Sequence, residues 1–524
     1  TAAAPIIINF DCPDDAGIIK QVTTMTEALT PANWTNESGS LWYLSVASYS
    51  WKDPRRIWLN DVELFPSNSK ANLGTRVNSA TAPIGIFWYD SGNARIYLYS
   101  ATNPSTDLTS FQSLVAAGAG TYNAMRIPSD SADYITIINP RLEGGQLASL
   151  YILGGDNITV LGTNADDSTC NIGKNGVRGI FVSDANGNGT GNLSLDVTIQ
   201  DCTIDPVVPD QYRGSAWEYN WGFGDGISVS FGTTGTRVIS NTINGWPHSN
   251  YLIQAISGTT AVTDGYVADN TFTCTRNTAY CRGFGVDGAA AGRASNNWIV
   301  RNTFTGFPNR SQFNGNANYL VGNVFKDMRA DTVYSNRNEM LLFQPYGGYS
   351  DGNTVANNTF ENNAYAPCIG WMSDPGGTVQ NHIVINNILH NCGGTYRTGR
   401  VDVALNLPTN DLTGTDVGVQ FVYNNIIYND TRPAVINYKA TGLTTVAAFQ
   451  AACSGDTCSG NSETNPLFVG ASNFRLQSAS TLIRTGKWWG NGCVDVRGRP
   501  CFVPPDIGAY QSGSGDIAGV RAIR

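Results

Sequence analysis

The sequence is short of charge. Asp, Glu, Lys and Arg together make up 14% of its 524 residues, against about a quarter in an ordinary globular chain. That excludes an architecture of long surface helices laced with ion pairs. No Lys/Arg cluster occurs and the formal net charge is −9. A nucleic-acid partner is therefore not expected, because it needs a basic face to displace counterions. No apolar run approaches the roughly 20 residues of a bilayer span. Histidine is scarce, with three residues, and none of the 11 cysteines falls in a CxxC pair. A zinc ribbon or finger is thereby excluded. There is no signal-peptide pattern ahead of Thr1-Ala2-Ala3-Ala4-Pro5, so the chain reads as a mature exported protein.

What the sequence does contain is glycine (57 residues), Asn and Thr throughout, and many β-branched and aromatic side chains. This is all-β composition. Several cysteines lie close together, and the expected disulfides are Cys274–Cys281, Cys453–Cys458 and Cys493–Cys501. Cys170–Cys202 and Cys368–Cys392 join across coils, and Cys12 is left over. Such pairing implies an oxidising, extracellular setting, secreted or at a cell surface.

One short pattern recurs down the chain. It reads VISNTI, VADNTF, IVRNTF, LVGNVF, VANNTF, VINNIL and VYNNII, aligned on Asn241, Asn270, Asn302, Asn323, Asn358, Asn387 and Asn425. The gaps of 29, 32, 21, 35, 29 and 38 residues are those of a solenoid with insertions on some coils. Three residues before each Asn the side chain is aliphatic, from Val238 to Val422. Two residues after it the side chain is apolar: Ile243, Phe272, Phe304, Phe325, Phe360, Leu389 and Ile427. Inward positions alternating with outward ones and then a sharp bend give this pattern. The Asn is expected to form the turn in the left-handed region, with its amide bonding the coils above and below. A second set of strand-like segments, such as GISVSFG, GFGVDG and MLLFQP, lies between the ladder strands. The expected fold is all-β: a right-handed parallel β-helix over 126–440 with an asparagine ladder, an N-terminal β-rich cap or sandwich module over 1–125, and a disulfide-tied C-terminal capping segment over 441–524.

These segments resemble the right-handed parallel β-helix superfamily of pectate-lyase-like lyases, polygalacturonase-like hydrolases and viral tailspikes. The run NPLFVGASNFRLQSASTLIRTG…VDVRGRPCFVPPDIGAYQ is similar to the closing segment of many secreted bacterial members, with Gln511 where an acid usually ends the motif. The resemblance implies fold and export, but not one reaction. The paired-Asp signatures of polygalacturonases are absent, and His248 lies in WPHSN rather than between glycines.

Candidate catalytic groups are carboxylates on the second strand column: Asp225, Asp287, Glu339 and Asp374. Two carboxyls at suitable separation serve as acid and base or nucleophile in glycoside hydrolysis. Glu339 is expected as the general acid with Asp287 as its partner, although Asp225-Gly226 and Asp287-Gly288 are also ordinary turn dipeptides. SAWEYNWGFGDG places Trp217, Glu218, Tyr219 and Trp221 on one loop as a sugar-stacking wall, and Arg337 and Trp371 complete the expected binding set. His248, His382 and His390 read as structural, and nothing singles out Arg301 or Lys326 as an eliminating base. No cofactor is required, and Ca²⁺ is left open. The expected function is cleavage or binding of an extracellular polysaccharide. The alternative is a non-catalytic adhesin, a subunit of a self-assembling fibre or a tailspike, with homo-oligomers formed through the helix ends.

Overall fold

Strands of three to seven residues ending in sharp bends cannot cover their own apolar sides, so each coil of this chain stacks on the next. The computed structural model describes residues 6 to 512. Outside the description lie 11–17, 25–28, 48–53, 74–85, 107–110, 116–122, 129–132, 164–169, 174–177, 185–190, 206–223, 256–259, 275–280, 289–292, 330–338, 373–376, 394–403, 408–419 and scattered stretches of one to three residues. The chain winds as a right-handed parallel β-helix, and among the described residues its three long sheets have 12, 11 and 12 strands and a narrow fourth has 7. One coil shows the order. Arg237–Ile239 lies in the first sheet, Thr242–Asn244 in the second and Ser249–Ala255 in the third. Val262–Thr263 lies in the fourth, and Tyr266–Ala268 returns to the first.

The aliphatic and apolar columns face inward as expected. Phe272, Phe304, Phe325 and Phe360 stack in one line with centroids 4.8, 4.5 and 4.8 Å apart, which is the spacing of the coils. The asparagines fill the corner between the first and second sheets. Each side-chain oxygen accepts from the backbone N–H and the amide of the preceding member, from Asn241 to Asn270 (2.8 and 3.0 Å) and onward to Asn425. Asn461 continues the column by one coil.

The backbone of the corner departs from expectation. The left-handed residue is not the ladder Asn but the one before it: Asp201, Ser240, Asp269, Arg301, Asn357, Asn386 and Asn424 all have φ between 49° and 59°. The reason is division of labour. The ladder amide must point inward to bond its neighbours, which leaves the bend to the outward residue.

The boundary expected near 125 does not separate the first coil from the solenoid. Ile6–Asn9 pairs in parallel with Ile135–Ile138, and Ile18–Gln21 with Arg141–Gly144. The aromatic N-terminal module is an insertion into that coil. It forms one eight-stranded sheet, antiparallel except where Phe65 and Pro66 pair with Ile86 and Phe87. It has its own core of Trp34, Leu44, Ile57, Phe87 and Leu98.

The C-terminal segment is also more than a cap. Helix α1 (Val446–Ala452), N-capped by Thr445, packs Phe449 on Tyr438. Beyond it, the chain runs back along the outside of the first two sheets as a strap. The left-handed corner residues hold it. The Asn357 amide donates to Asp506 O (2.8 Å), and the Asn386 amide to Lys487 O (2.8 Å). The Asn424 amide reaches Thr485 O (3.3 Å). At Gly322, with φ +66°, a Cβ would lie 2.7 Å from Val494 O, so only glycine fits there. The closing motif builds the strap itself. Asp495 binds Arg497, while Gln511 accepts from Asp506 N–H and donates to Asp506 O.

All five expected disulfides are present: Cys170–Cys202, Cys274–Cys281, Cys368–Cys392, Cys453–Cys458 and Cys493–Cys501. Cys12 lies outside the described residues. Of 11 cysteines, ten are thus paired. Intact mass after alkylation should show one adduct without reductant and eleven after full reduction, and a larger number without reductant would contradict the pairing.

Candidate functional site

Parallel strands in register line up equivalent side chains on successive coils, so a row of polar residues on an outer face becomes a surface. The third sheet carries such a row. Along its leading edge the register runs Arg178, Asp225, Ser249 and Arg282. Asp225 is buried, receives His248 Nδ1 at 2.8 Å and lies 3.7 Å from Arg178 Nε. Arg282 donates to Gln312 Oε1 at 2.7 Å. Asp287 stands opposite Gln254, half-buried, and receives a long contact from the Asn314 amide at 3.4 Å. Burial pushes its carboxyl pKa up. Arg282, His248 and Asn314 pull the other way, and the charge of Asp225 adds to the rise. The electrostatics therefore tie Asp225, His248, Arg282 and Asp287 into one group.

Several buried polar atoms of this face have no hydrogen-bond partner among the described residues. They are Arg178 Nε, Ser249 Oγ, Arg282 Nε, Gln312 Nε2 and Glu339 Oε2. Most buried polar groups are satisfied, so a concentration on one face of one sheet needs an explanation.

The expected residues divide. Asp225 and Asp287 belong to the group just described. Glu339 is buried two residues before Leu341, which pairs with Ser311, so its register falls near Arg282 rather than Asp287. It is thus displaced from Asp287 by about five residues along the strand, roughly 16 Å, as well as by two coils. Asp225 stands at the same offset on the other side, two coils before Arg282, and its charge acts on the Asp287 carboxyl, so Asp225 is the carboxylate electrostatically joined to Asp287. Trp371 is not a binding residue. It pairs with Phe343, faces inward, is 1% exposed and stacks on Phe343 at 5.1 Å. Strand parity decides this, since 369 and 371 share the core side. Trp217, Glu218, Tyr219, Trp221, Arg337 and Asp374 lie outside the described residues.

Two other histidines sit elsewhere. His382 is fully buried at a corner. His390 is held between Glu361 and Asp430 on the second sheet. Arg301 pairs with Asp269 through two contacts of 2.8 and 2.6 Å. Among the described residues no group of three or more His, Cys, Asp or Glu side chains is arranged to hold a metal, and no helix is long and apolar enough to cross a membrane.

Sequence reasoning missed the second corner ladder. Five residues ahead of the first column stand Asn297, Asn318, Asn353, His382 and Gln420, and each accepts from the backbone N–H one coil before. The constant offset of five was the available signal.

No protein-family model and no curated protein matches the sequence. Among solved structures the chain is similar to one described as a glycoside hydrolase, with 9% identity over 88% of this chain and 87% of that one and a TM-score of 0.37. It is also similar to the catalytic domain of an α-1,3-glucanase in complex with nigerose (11%, 82% and 92%, TM-score 0.36). A third is XylC with xylose (11%, TM-score 0.31), where the match covers 79% of this chain and 65% of that chain.

Proposed function

We propose that this protein is an exported, carbohydrate-active β-helix that binds and cleaves a polysaccharide across the outer face of its third sheet. The observation that carries the reading is the coil-by-coil row of Arg178, Asp225, Ser249 and Arg282, with His248 on Asp225, Asp287 farther along the same sheet, and buried polar atoms left unpartnered among the described residues. A repeating, hydroxyl-rich polymer supplies donors and acceptors at regular intervals, and a flat parallel sheet presents their complements in the same way. In this reading Asp287 is the general acid, because burial raises its pKa toward the range in which a carboxyl keeps its proton. Asp225, oriented by His248 and Arg178, is the second carboxylate and assists the attacking water or the sugar carbon. The five disulfides support export.

The test is a glycan depolymerisation screen read by new reducing ends and by the absorbance of unsaturated product. Asp287→Asn is nearly isosteric and should leave the fold intact while reducing turnover at least about a hundredfold. Glu339→Gln should change turnover by less than about tenfold, because the carboxylate whose charge acts on Asp287 is that of Asp225. Full activity of Asp287→Asn would remove it from the mechanism. Absence of cleavage across the screen would transfer the protein to the adhesin or fibre reading. That reading cannot use the segment PIIINF for strand donation while Ile6–Asn9 occupies the first coil of its own helix.

A further inference from the structure

A second polar concavity lies on another face. Between the outer side of the second sheet and the strap hairpin of Phe468–Gly470 and Asn473–Leu476 opens a cleft of about 660 Å³, within the size range of small-molecule sites. Its floor is built by register: Lys326, Glu361 and His390 lie side by side on three successive coils. His390 is the centre of a fixed group. Its Nδ1 meets Glu361 Oε2 at 2.5 Å and its Nε2 meets Asp430 Oδ2 at 3.2 Å. The ring lies parallel to Tyr428 at 5.7 Å and meets the edge of Phe468 at 5.4 Å. Burial works against a charge on the imidazole, but the two carboxylates outweigh it and raise its pKa. Asp327, at the left-handed corner beside Lys326, receives the Asn362 amide at 3.0 Å.

The chemistry of the lining narrows the occupant. Three carboxylates against one lysine and one histidine make the cleft a poor host for an anion. Both nitrogens of His390 are already engaged, and no metal-holding group occurs among the described residues, so a cation site is not favoured. Glu361 is 9% exposed and gives its Oε2 to His390. Carboxylates lining a cleft with amides and aromatic rings at hand fit a ligand that offers hydroxyl groups and a C–H face.

We propose that the cleft between the second sheet and the strap hairpin is a binding site for a neutral saccharide, distinct from the third-sheet face. Glu361 and Asp430 accept from sugar hydroxyls while His390 holds both carboxylates in place, and Phe468 supplies apolar contact. The inference extends the carbohydrate reading to a second place on the molecule and rests on it for the choice of ligand class.

The experiment uses the whole protein, titrated with neutral gluco- and xylo-oligosaccharides and with an oligogalacturonate as the anionic control. Binding is followed by calorimetry and by imidazole proton resonances, which are few because the chain has 3 histidines. A neutral oligosaccharide should bind and shift the His390 signal. Glu361→Gln and, separately, Ala471→Trp should each weaken binding at least tenfold. Ala471 is exposed at the hairpin turn, so tryptophan there fills the cleft without touching the ion group. The His390 shift, rather than the total heat, reports on this cleft, because the third-sheet face is itself a proposed sugar site. The proposal is overturned if only the oligogalacturonate shifts the His390 signal, if no neutral oligosaccharide shifts it at millimolar concentration, or if that shift survives both cleft variants. Cleft binding without any glycan cleavage would sink the third-sheet reading and leave this one standing.

Discussion

Asn323→Ala should lower the unfolding free energy by about 3–5 kcal/mol, although the side chain touches no solvent and no part of either proposed site. Asn323 is fully buried in the middle of the ladder. Its oxygen accepts from the Asn302 backbone N–H at 2.8 Å and from the Asn302 amide at 3.1 Å. Its own amide donates to Ile299 O at 2.9 Å, Val321 O at 3.2 Å and Asn358 Oδ1 at 3.0 Å. Alanine cuts all five contacts and leaves two donors of Asn302 facing a dry void. A buried donor without a partner costs about 1–3 kcal/mol, and two of them outweigh the small entropy gained by removing the side chain. Asn323→Asp keeps the acceptor but loses both donors and buries a carboxylate, so it should be no milder. Equilibrium denaturation of both variants checks this. A loss below about 1 kcal/mol would mean that the phenylalanine column, not the ladder, holds neighbouring coils in register.

The ladder was legible in the sequence because its chemistry is periodic and local: one residue type, flanked by an aliphatic three before and an apolar two after. The disulfides were legible because a loop of a few residues, or one coil of winding, leaves few alternatives. The strap could not be read in this way. Its contacts run from residues near 487 and 506 to corners near 386 and 357, and no local period links segments that far apart. What looked like solvent-facing variety just before the ladder, in Asn357, Asn386 and Gly322, is in part a docking track. The carboxylates were only half legible. All three could be placed on the right sheet, but Asp225 and Glu339 share one register position while Asp287 lies about five residues farther along, which depended on register within the third sheet. There, unequal loop lengths shift one strand against another without changing any residue pattern. Trp371 failed for a related reason, since a single step of parity turns an aromatic from the surface to the core.

His382 replaces an asparagine in the second ladder, and acid should therefore loosen the fold through this one residue. The imidazole is fully buried. Nδ1 accepts the Asn353 backbone N–H at 3.2 Å, which fixes the proton on Nε2, where it faces Ser350 Oγ at 3.1 Å. The ring stacks on Phe343 with centroids 4.2 Å apart. Protonating Nδ1 would set one N–H against another in a dry corner. Burial accordingly lowers the pKa from 6.5 to about 3, with Asp351 pulling weakly the other way. The sign follows from proton counting. Below pH 6.5 the unfolded chain takes up a proton that the folded chain refuses, so the contribution of His382 to stability is complete above 6.5 and declines as pH falls toward 3. At 1.36 kcal/mol per unit, moving from pH 7.5 to pH 4.5 should remove about 2–3 kcal/mol on this account alone. Burial works to raise the Asp351 pKa, but hydrogen bonds from Asn381, Gln380 and Tyr349 outweigh it and lower it, so its titration adds to the loss of stability in acid. Carboxylates elsewhere also titrate, so the measurement is a difference. His382→Asn restores the ladder acceptor and removes the titrating group. It should be less stable than the parent at pH 7.5, having lost the stack on Phe343, yet lose about 2–3 kcal/mol less on going to pH 4.5. Equal acid losses in the two proteins, by urea denaturation at both pH values, would show that His382 is not the group through which acid acts.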